Sequence, residues 1–178
     1  MVEENWRLDL KGLVIRRRSP RRTYVLRVRG AEEAQLAALE AVLGAVLPRI
    51  SNRAGGDRPR VLALAPGDWM LIGADLPDQD RVAAASTALV DLADVTDGRI
   101  AFELSGPLAA DLLAKGAPVD LHERAFPIGS CAQTRLAQIH VLIDRPADAQ
   151  GDGFVLYADI SYAAHLIAWF DAAAAEYR

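Results

Sequence analysis

Residues 98–116, GRIAFELSGPLAADLLAKG, decide how this chain is read. GRIAFELSG (98–106) reads as a strand closed by Gly106. PLAADLLAKG then predicts a short helix with Ser105 or Gly106 as its cap, Pro107 in the first turn and Gly116 just past its end. The same order occurs earlier in the chain. TYVLRVRGAEEAQLAAL, residues 23–39, is again a strand, a glycine and an amphipathic helix.

Outward from these two stretches, GLVIRRR (12–18) and TYVLRVR (23–29) predict a hairpin turning at SPR. The helix after Gly30 carries Leu36, Leu39, Leu43 and Val46 at helical spacing, Glu32 and Glu33 in its first turn, and Pro48 as its stop. VLALAPGDWMLIGA (61–74) reads as two strands around Pro66-Gly67, and the alanine-rich DQDRVAAASTALVDL (78–92) as a helix. In the second half, the irregular APVDLHERAFPIGS (117–130) precedes a long strand over about residues 131–143. A loop, the strand FVLYADI (154–160) and a final helix with Tyr162, Leu166, Trp169 and Ala173 on one face follow. Each half therefore reads strand, helix, strand, strand, helix. The expectation is an α+β fold of two ferredoxin-like halves, residues 1–92 and 93–178, packed into one body as a single compact domain.

A chain of 178 residues with 52% hydrophobic residues is long enough to bury roughly 70% of its unfolded surface, so it needs neither metal nor disulfide to fold. The net charge of −4 and the pI of about 5.4 exclude a global positive field that would draw nucleic acid or an anionic membrane. One cysteine permits no intrachain disulfide, MVEENWRLDL has no apolar signal region, and no run approaches the ~20 apolar residues of a membrane span. A cytoplasmic protein is expected.

Catalytic motifs are missing where they are sought. Cys131 follows Pro127 and Gly129 at the start of the long strand, a place for a packed rather than a nucleophilic cysteine. If that strand is continuous, His140 lies about 30 Å away and cannot serve as its base. His122-Glu123 lacks the second histidine of a zinc-binding H-E-x-x-H, since Phe126 occupies its place, and His165 stands alone on the last helix. There is no phosphate-binding loop, no G-x-S-x-G and no G-x-G-x-x-G after a strand. The cluster Arg16, Arg17, Arg18, Arg21 and Arg22 straddles a turn, where a partner-facing or solvated role is favoured over nucleic acid. Trp6, Trp69 and Trp169 are expected in the core or an interface. The residues by themselves define neither a catalytic nor a metal site.

LSGPLAADLLAKG (104–116), VDLHERAFPIGSCAQT (119–134), PGDWMLIG (66–73) and FVLYADISYAAHLIAWF (154–170) resemble the gamma subunits of heterotetrameric sarcosine oxidases. At Ala117 the sequence departs from the cysteine expected of that family while keeping a small residue. The resemblance implies a small non-catalytic subunit packing on a large alpha subunit, with beta and delta subunits completing the complex. It implies oxidative demethylation of sarcosine to glycine with formation of hydrogen peroxide and capture of the one-carbon unit by tetrahydrofolate. FAD, FMN and NAD would be carried by the large subunits and zinc by the smallest, leaving no cofactor, nucleic-acid or membrane partner for this chain. ADVTDGRIAFELSGP (93–107) more distantly resembles the folate-binding aminomethyltransferase fold. That likeness makes Asp94, in Asp94-Val95-Thr96, the candidate residue of an alternative folate-binding or one-carbon-transfer module. The same carboxylate also suits a turn, bonding its own backbone.

Overall fold

The computed structural model describes residues 5–18, 21–73, 75–76, 78–147 and 153–178. Its strands are β1 (Arg7–Leu10), β2 (Leu13–Arg18), β3 (Thr23–Arg29), β4 (Ala54–Gly55), β5 (Arg60–Ala65), β6 (Asp68–Ile72), β7 (Leu89–Asp94), β8 (Arg99–Ser105), β9 (Cys131–Leu136), β10 (Ile139–Asp144) and β11 (Phe154–Asp159). The α-helices are α1 (Glu33–Leu43), α2 (Gln79–Ala84), α3 (Ala109–Ala114) and α4 (Ala163–Ala173). Two compact units result: Arg21–Thr96, and Met1–Pro20 together with Asp97–Arg178.

In the Arg21–Thr96 unit the sheet runs β4-β5-β6-β3-β7, with every neighbouring pair antiparallel. With β4 set aside, the order in the chain is β3-α1-β5-β6-α2-β7, and β3 lies between the third and fourth strands, as in a ferredoxin-like sheet. Tyr24, Leu26, Val28, Val61, Ala63, Trp69, Leu71, Val90 and Leu92 form one face and pack with Leu39 and Leu43 of α1 and Val82 of α2.

Three expectations are corrected here. Helix α1 ends at Gly44, whose φ of +64° a side chain would strain, four residues before Pro48. Val46, expected on the apolar face, is 76% exposed. The turn after α1 is held instead by Arg49, which bonds Glu33 (Nη2 to Oε1, 2.6 Å), Glu40 (Nη1 to Oε1, 2.9 Å) and the Leu47 carbonyl. The helix expected over 78–92 stops at Ala84, and its second half is the strand β7. Six helical residues are too few to be stable alone, whereas Val90 and Leu92 gain burial by pairing along β3.

In the other unit the sheet runs β1-β2-β8-β11-β10-β9, again antiparallel throughout. The expected hairpin of β2 with β3 does not form. β2 turns back on β1 through Lys11 and Gly12 (φ +83°) and pairs on its other side with β8, while β3 belongs to the other sheet. The expected 1–92 half thus lacks its first two strands, which complete the sheet built by the later residues. Strand for strand, β8-α3-β9-β10-β11-α4 repeats β3-α1-β4-β5-β6-α2 in both chain order and sheet order. The position that β7 takes in the first unit is taken here by β2, from the opposite end of the chain.

Helices α3 and α4 cover one face of this sheet: Leu112, Leu113, Leu166 and Phe170 pack on Leu13, Ile15, Phe102, Leu104, Ile143, Phe154 and Leu156. Phe102 and Phe170 meet edge to face at 5.2 Å, and Trp6 stacks on Phe170 at 6.1 Å. Each such pair contributes roughly 0.5–1.5 kcal/mol beyond its buried area. Neither expected cap starts α3, which has Leu108 as its first flanking residue without a side-chain bond. The Leu108 N–H reaches the Gly12 carbonyl at 3.1 Å, and a Cβ on Gly106 (φ +103°) would stand 2.5 Å from that same oxygen. Gly106 is therefore required by close approach, where a capping role was expected.

The long strand over 131–143 is corrected as well. It is a two-residue hairpin, β9 to β10, turning at Ala137 (φ +50°) and Gln138 (φ +71°). No asparagine or glycine marks that turn. It is tied down from outside by the Ala137 N–H bonding Gly116 O at 3.3 Å and by His165 Nε2 at 3.1 Å from Ala137 O.

Candidate functional site

Asp94 lies at the end of β7, where the chain turns into a single 3-10 turn at Thr96–Gly98. Its Oδ1 accepts bonds from the Thr96 N–H at 2.9 Å and the Thr96 hydroxyl at 2.6 Å, and its Oδ2 stands 3.4 Å from Arg22 Nη1. Arg22 also reaches Asp75, Nε to Oδ1 at 3.3 Å. The Thr96 hydroxyl bond, then the Thr96 N–H, holds the Asp94 carboxyl below the usual aspartate range, with Arg22 adding to the effect. The side chain is 45% exposed and does the turn-closing work its sequence position allowed for. Thr96 Oγ1 in turn accepts from the Thr23 N–H at 2.9 Å, locking the end of β7 to the start of β3.

A second copy of this arrangement escapes the sequence reading. Asp159 ends β11, and its Oδ1 accepts from the Ser161 N–H at 2.9 Å and hydroxyl at 2.7 Å ahead of another 3-10 turn. The Ser161 hydroxyl, then its N–H, lowers the Asp159 pKa in the same way. The signal was present in the letters: Ala93-Asp94-Val95-Thr96 beside Ala158-Asp159-Ile160-Ser161.

Cys131 is 1% exposed and opposite Asp144 in the β9–β10 ladder. His140 is on β10 opposite Arg135, exposed, four residues from Asp144. That offset separates cysteine and histidine by roughly 14 Å, because an antiparallel strand rises about 3.4 Å per residue and the two lie on neighbouring strands. The two are not a dyad, although the hairpin makes them nearer than a continuous strand would. His122 Nδ1 accepts the Arg124 N–H at 3.2 Å within a turn. Among the described residues no group of three or more His, Cys, Asp or Glu side chains is placed to hold a metal ion.

Three of the five arginines in the cluster, Arg16, Arg18 and Arg22, pair with carboxylates. Arg18 Nη2 lies 2.8 Å from Glu103 Oε1 and Arg16 Nη2 lies 3.7 Å from Glu103 Oε2, on a glutamate that is 7% exposed. Arg22 serves Asp94 and Asp75 as described. Trp69 donates to the Pro48 carbonyl at 2.8 Å, and Trp6 and Trp169 pack against the core of the six-stranded sheet.

Two antiparallel units of this topology define a class, and residues 61–178 match the GCVT N-terminal domain family. A solved relative in that class is the glycine cleavage system aminomethyltransferase T from Bartonella henselae. Its TM-score is 0.54 at 18% identity over 85% of this chain and 43% of that one, a likeness of fold. Nearer similarity is found to sarcosine oxidase subunit gamma of Arthrobacter sp. and of Corynebacterium sp. strain P-1, each 32% identical over 146 residues, 79% of this chain and 70% of the relative. In the solved heterotetrameric sarcosine oxidase from Corynebacterium sp. U-96, in complex with pyrrole 2-carboxylate, the matching chain gives a TM-score of 0.81 at 29% identity. The match covers 93% of this chain and 85% of that one. The chain belongs to the sarcosine oxidase gamma-subunit family.

Proposed function

We propose that this chain is the small gamma subunit of a heterotetrameric sarcosine oxidase and packs on the large alpha subunit, with beta and delta subunits completing the assembly. The complex oxidatively demethylates sarcosine to glycine, forms hydrogen peroxide and passes the one-carbon unit to tetrahydrofolate. FAD, FMN and NAD reside on the large subunits and zinc on the smallest. The observation that carries this reading is the match across 93% of the chain to a component of a solved heterotetramer. No helix among the described residues is long and apolar enough to cross a membrane.

Co-expression with an affinity-tagged alpha subunit tests the assignment. This chain is expected to be retained in equal stoichiometry, and alone to be colourless and inactive on sarcosine. An alpha–beta–delta complex that is stable and fully active without it would overturn an obligatory role. Calorimetric titration of the isolated chain with tetrahydrofolate addresses the folate alternative. Heat that disappears in Asp94→Asn would reassign the chain as a folate-binding module.

A further inference from the structure

Strand β7 is the last strand of its sheet, so one row of its backbone groups faces away from β3. The Val28 N–H bonds Gly67 O at 2.8 Å, on the side of β3 away from β7, so Val90, opposite Val28, turns its own N–H and C=O outward. By the same alternation Leu92 faces outward. Such an edge is a template for another strand. In the companion unit the equivalent strand, β2, has accepted one: β1 lies antiparallel along it. On β7 the place of that strand is taken by one side chain. Gln79, the first residue of α2, donates from Nε2 to Val90 O at 3.1 Å and accepts the Leu92 N–H on Oε1 at 2.5 Å. A primary amide offers one donor and one acceptor side by side, as a residue of an adjoining strand does.

We infer that Gln79 is an edge guard: its amide closes β7 against antiparallel pairing with β7 of a second copy of this chain. The guard is well fixed. Asp78, the cap of α2, accepts the Arg81 N–H at 2.9 Å and sets the helix start that aims Gln79 at the strand. The edge beside it offers an incoming strand apolar contact, since Leu89 is 74% exposed. Self-pairing needs Val90 O and Leu92 N–H together, and both are engaged. This inference is independent of the assignment to an oxidase complex, because it concerns the behaviour of the chain by itself.

The test uses the full chain in three forms: wild type, Gln79→Ala and Gln79→Asn, the last keeping an amide that is one methylene too short to span both groups. In sedimentation velocity over a hundredfold concentration range the wild type is expected to stay monomeric and both variants to form a reversible dimer. At the dilute end, hydrogen exchange of the Leu92 amide is expected to rise about tenfold in both variants, the loss of one edge hydrogen bond, while amides of β3 keep their protection. Adding Leu89→Lys, a charge on the edge, is expected to return either variant to monomer. Variants that stay monomeric, or a dimer that persists with Lys at position 89, would overturn the inference. So would a wild-type chain that already dimerises through β7. Protection retained along β3 separates an opened edge from an unfolded variant.

Discussion

Asp94 and Asp159 show how one residue's surroundings define its role. Each carboxylate accepts an N–H and a hydroxyl from the residue two positions on, so bonds to the charged form depress both pKa values. A carboxyl with a lowered folded-state pKa stabilises the fold above its unfolded value, and that contribution fades as pH falls through the folded value. Carbon-detected NMR titration should therefore place both carboxyls below the ordinary aspartate value of about 3.9, and Ser161→Ala should move Asp159 upward without moving Asp94. The turn role of Asp94 was legible as one of two readings of Asp-Val-Thr; its twin was spelled in the sequence and went unread because no function attached to it. Gly116 is a case the letters show in part. It lies just past the end of α3, as its position in the sequence predicts, and a Cβ there would also lie 2.6 Å from Trp169 Cζ2 and 3.1 Å from Leu136 Cδ1. Gly116→Ala is expected to destabilise by about 1–3 kcal/mol, measured as a lowered urea midpoint with unchanged slope.

At the scale of elements, periodicity located β3, β5, β6, β8 and β11, where apolar residues recur at every second position or run together. It failed where partners in space decide. Alanine-rich 78–92 has helical propensity throughout, but β3 offers Val90 and Leu92 a buried face and converts the second half to strand. The 131–143 segment hid its turn because Ala137-Gln138 adopts two positive φ values without the usual Asn-Gly signal, held there by Gly116 and His165. Replacing the pair by Asn-Gly should relieve that strain and raise stability by about 1 kcal/mol, read as an increase in Tm. Helix α4 forms as expected, but its buried face is Ala163, Leu166, Phe170 and Ala174, turned from the expected Tyr162, Leu166, Trp169 and Ala173: of those only Leu166 is buried, and Tyr162 is 43% exposed. Phe170, fully buried and in contact with the rings of Trp6 and Phe102, is expected to cost about 3–5 kcal/mol on Phe170→Ala in chemical denaturation.

For the whole molecule, the repeated strand–glycine–helix openings correctly announced two units of one topology. What they did not announce was that the second unit borrows its closing strand from the start of the chain, because β-pairing across eighty residues leaves no local signature. A permuted chain beginning at Arg21, with residues 1–20 rejoined after Arg178 through a flexible linker, restores the order β8 to α4 followed by β2. It is expected to retain cooperative unfolding, whereas simple deletion of residues 1–18 strips two strands from the sheet and should abolish it in thermal denaturation. The borrowed strand also sets a timetable for the ribosome. The Arg21–Thr96 unit is one uninterrupted segment, so it is finished and able to fold while β1 and β2 still wait for β8. At 5–20 residues per second that wait lasts roughly 4 to 16 s. Throughout it Leu13 and Ile15, fully buried in the finished fold, are left on a nascent hairpin without the strand that covers them.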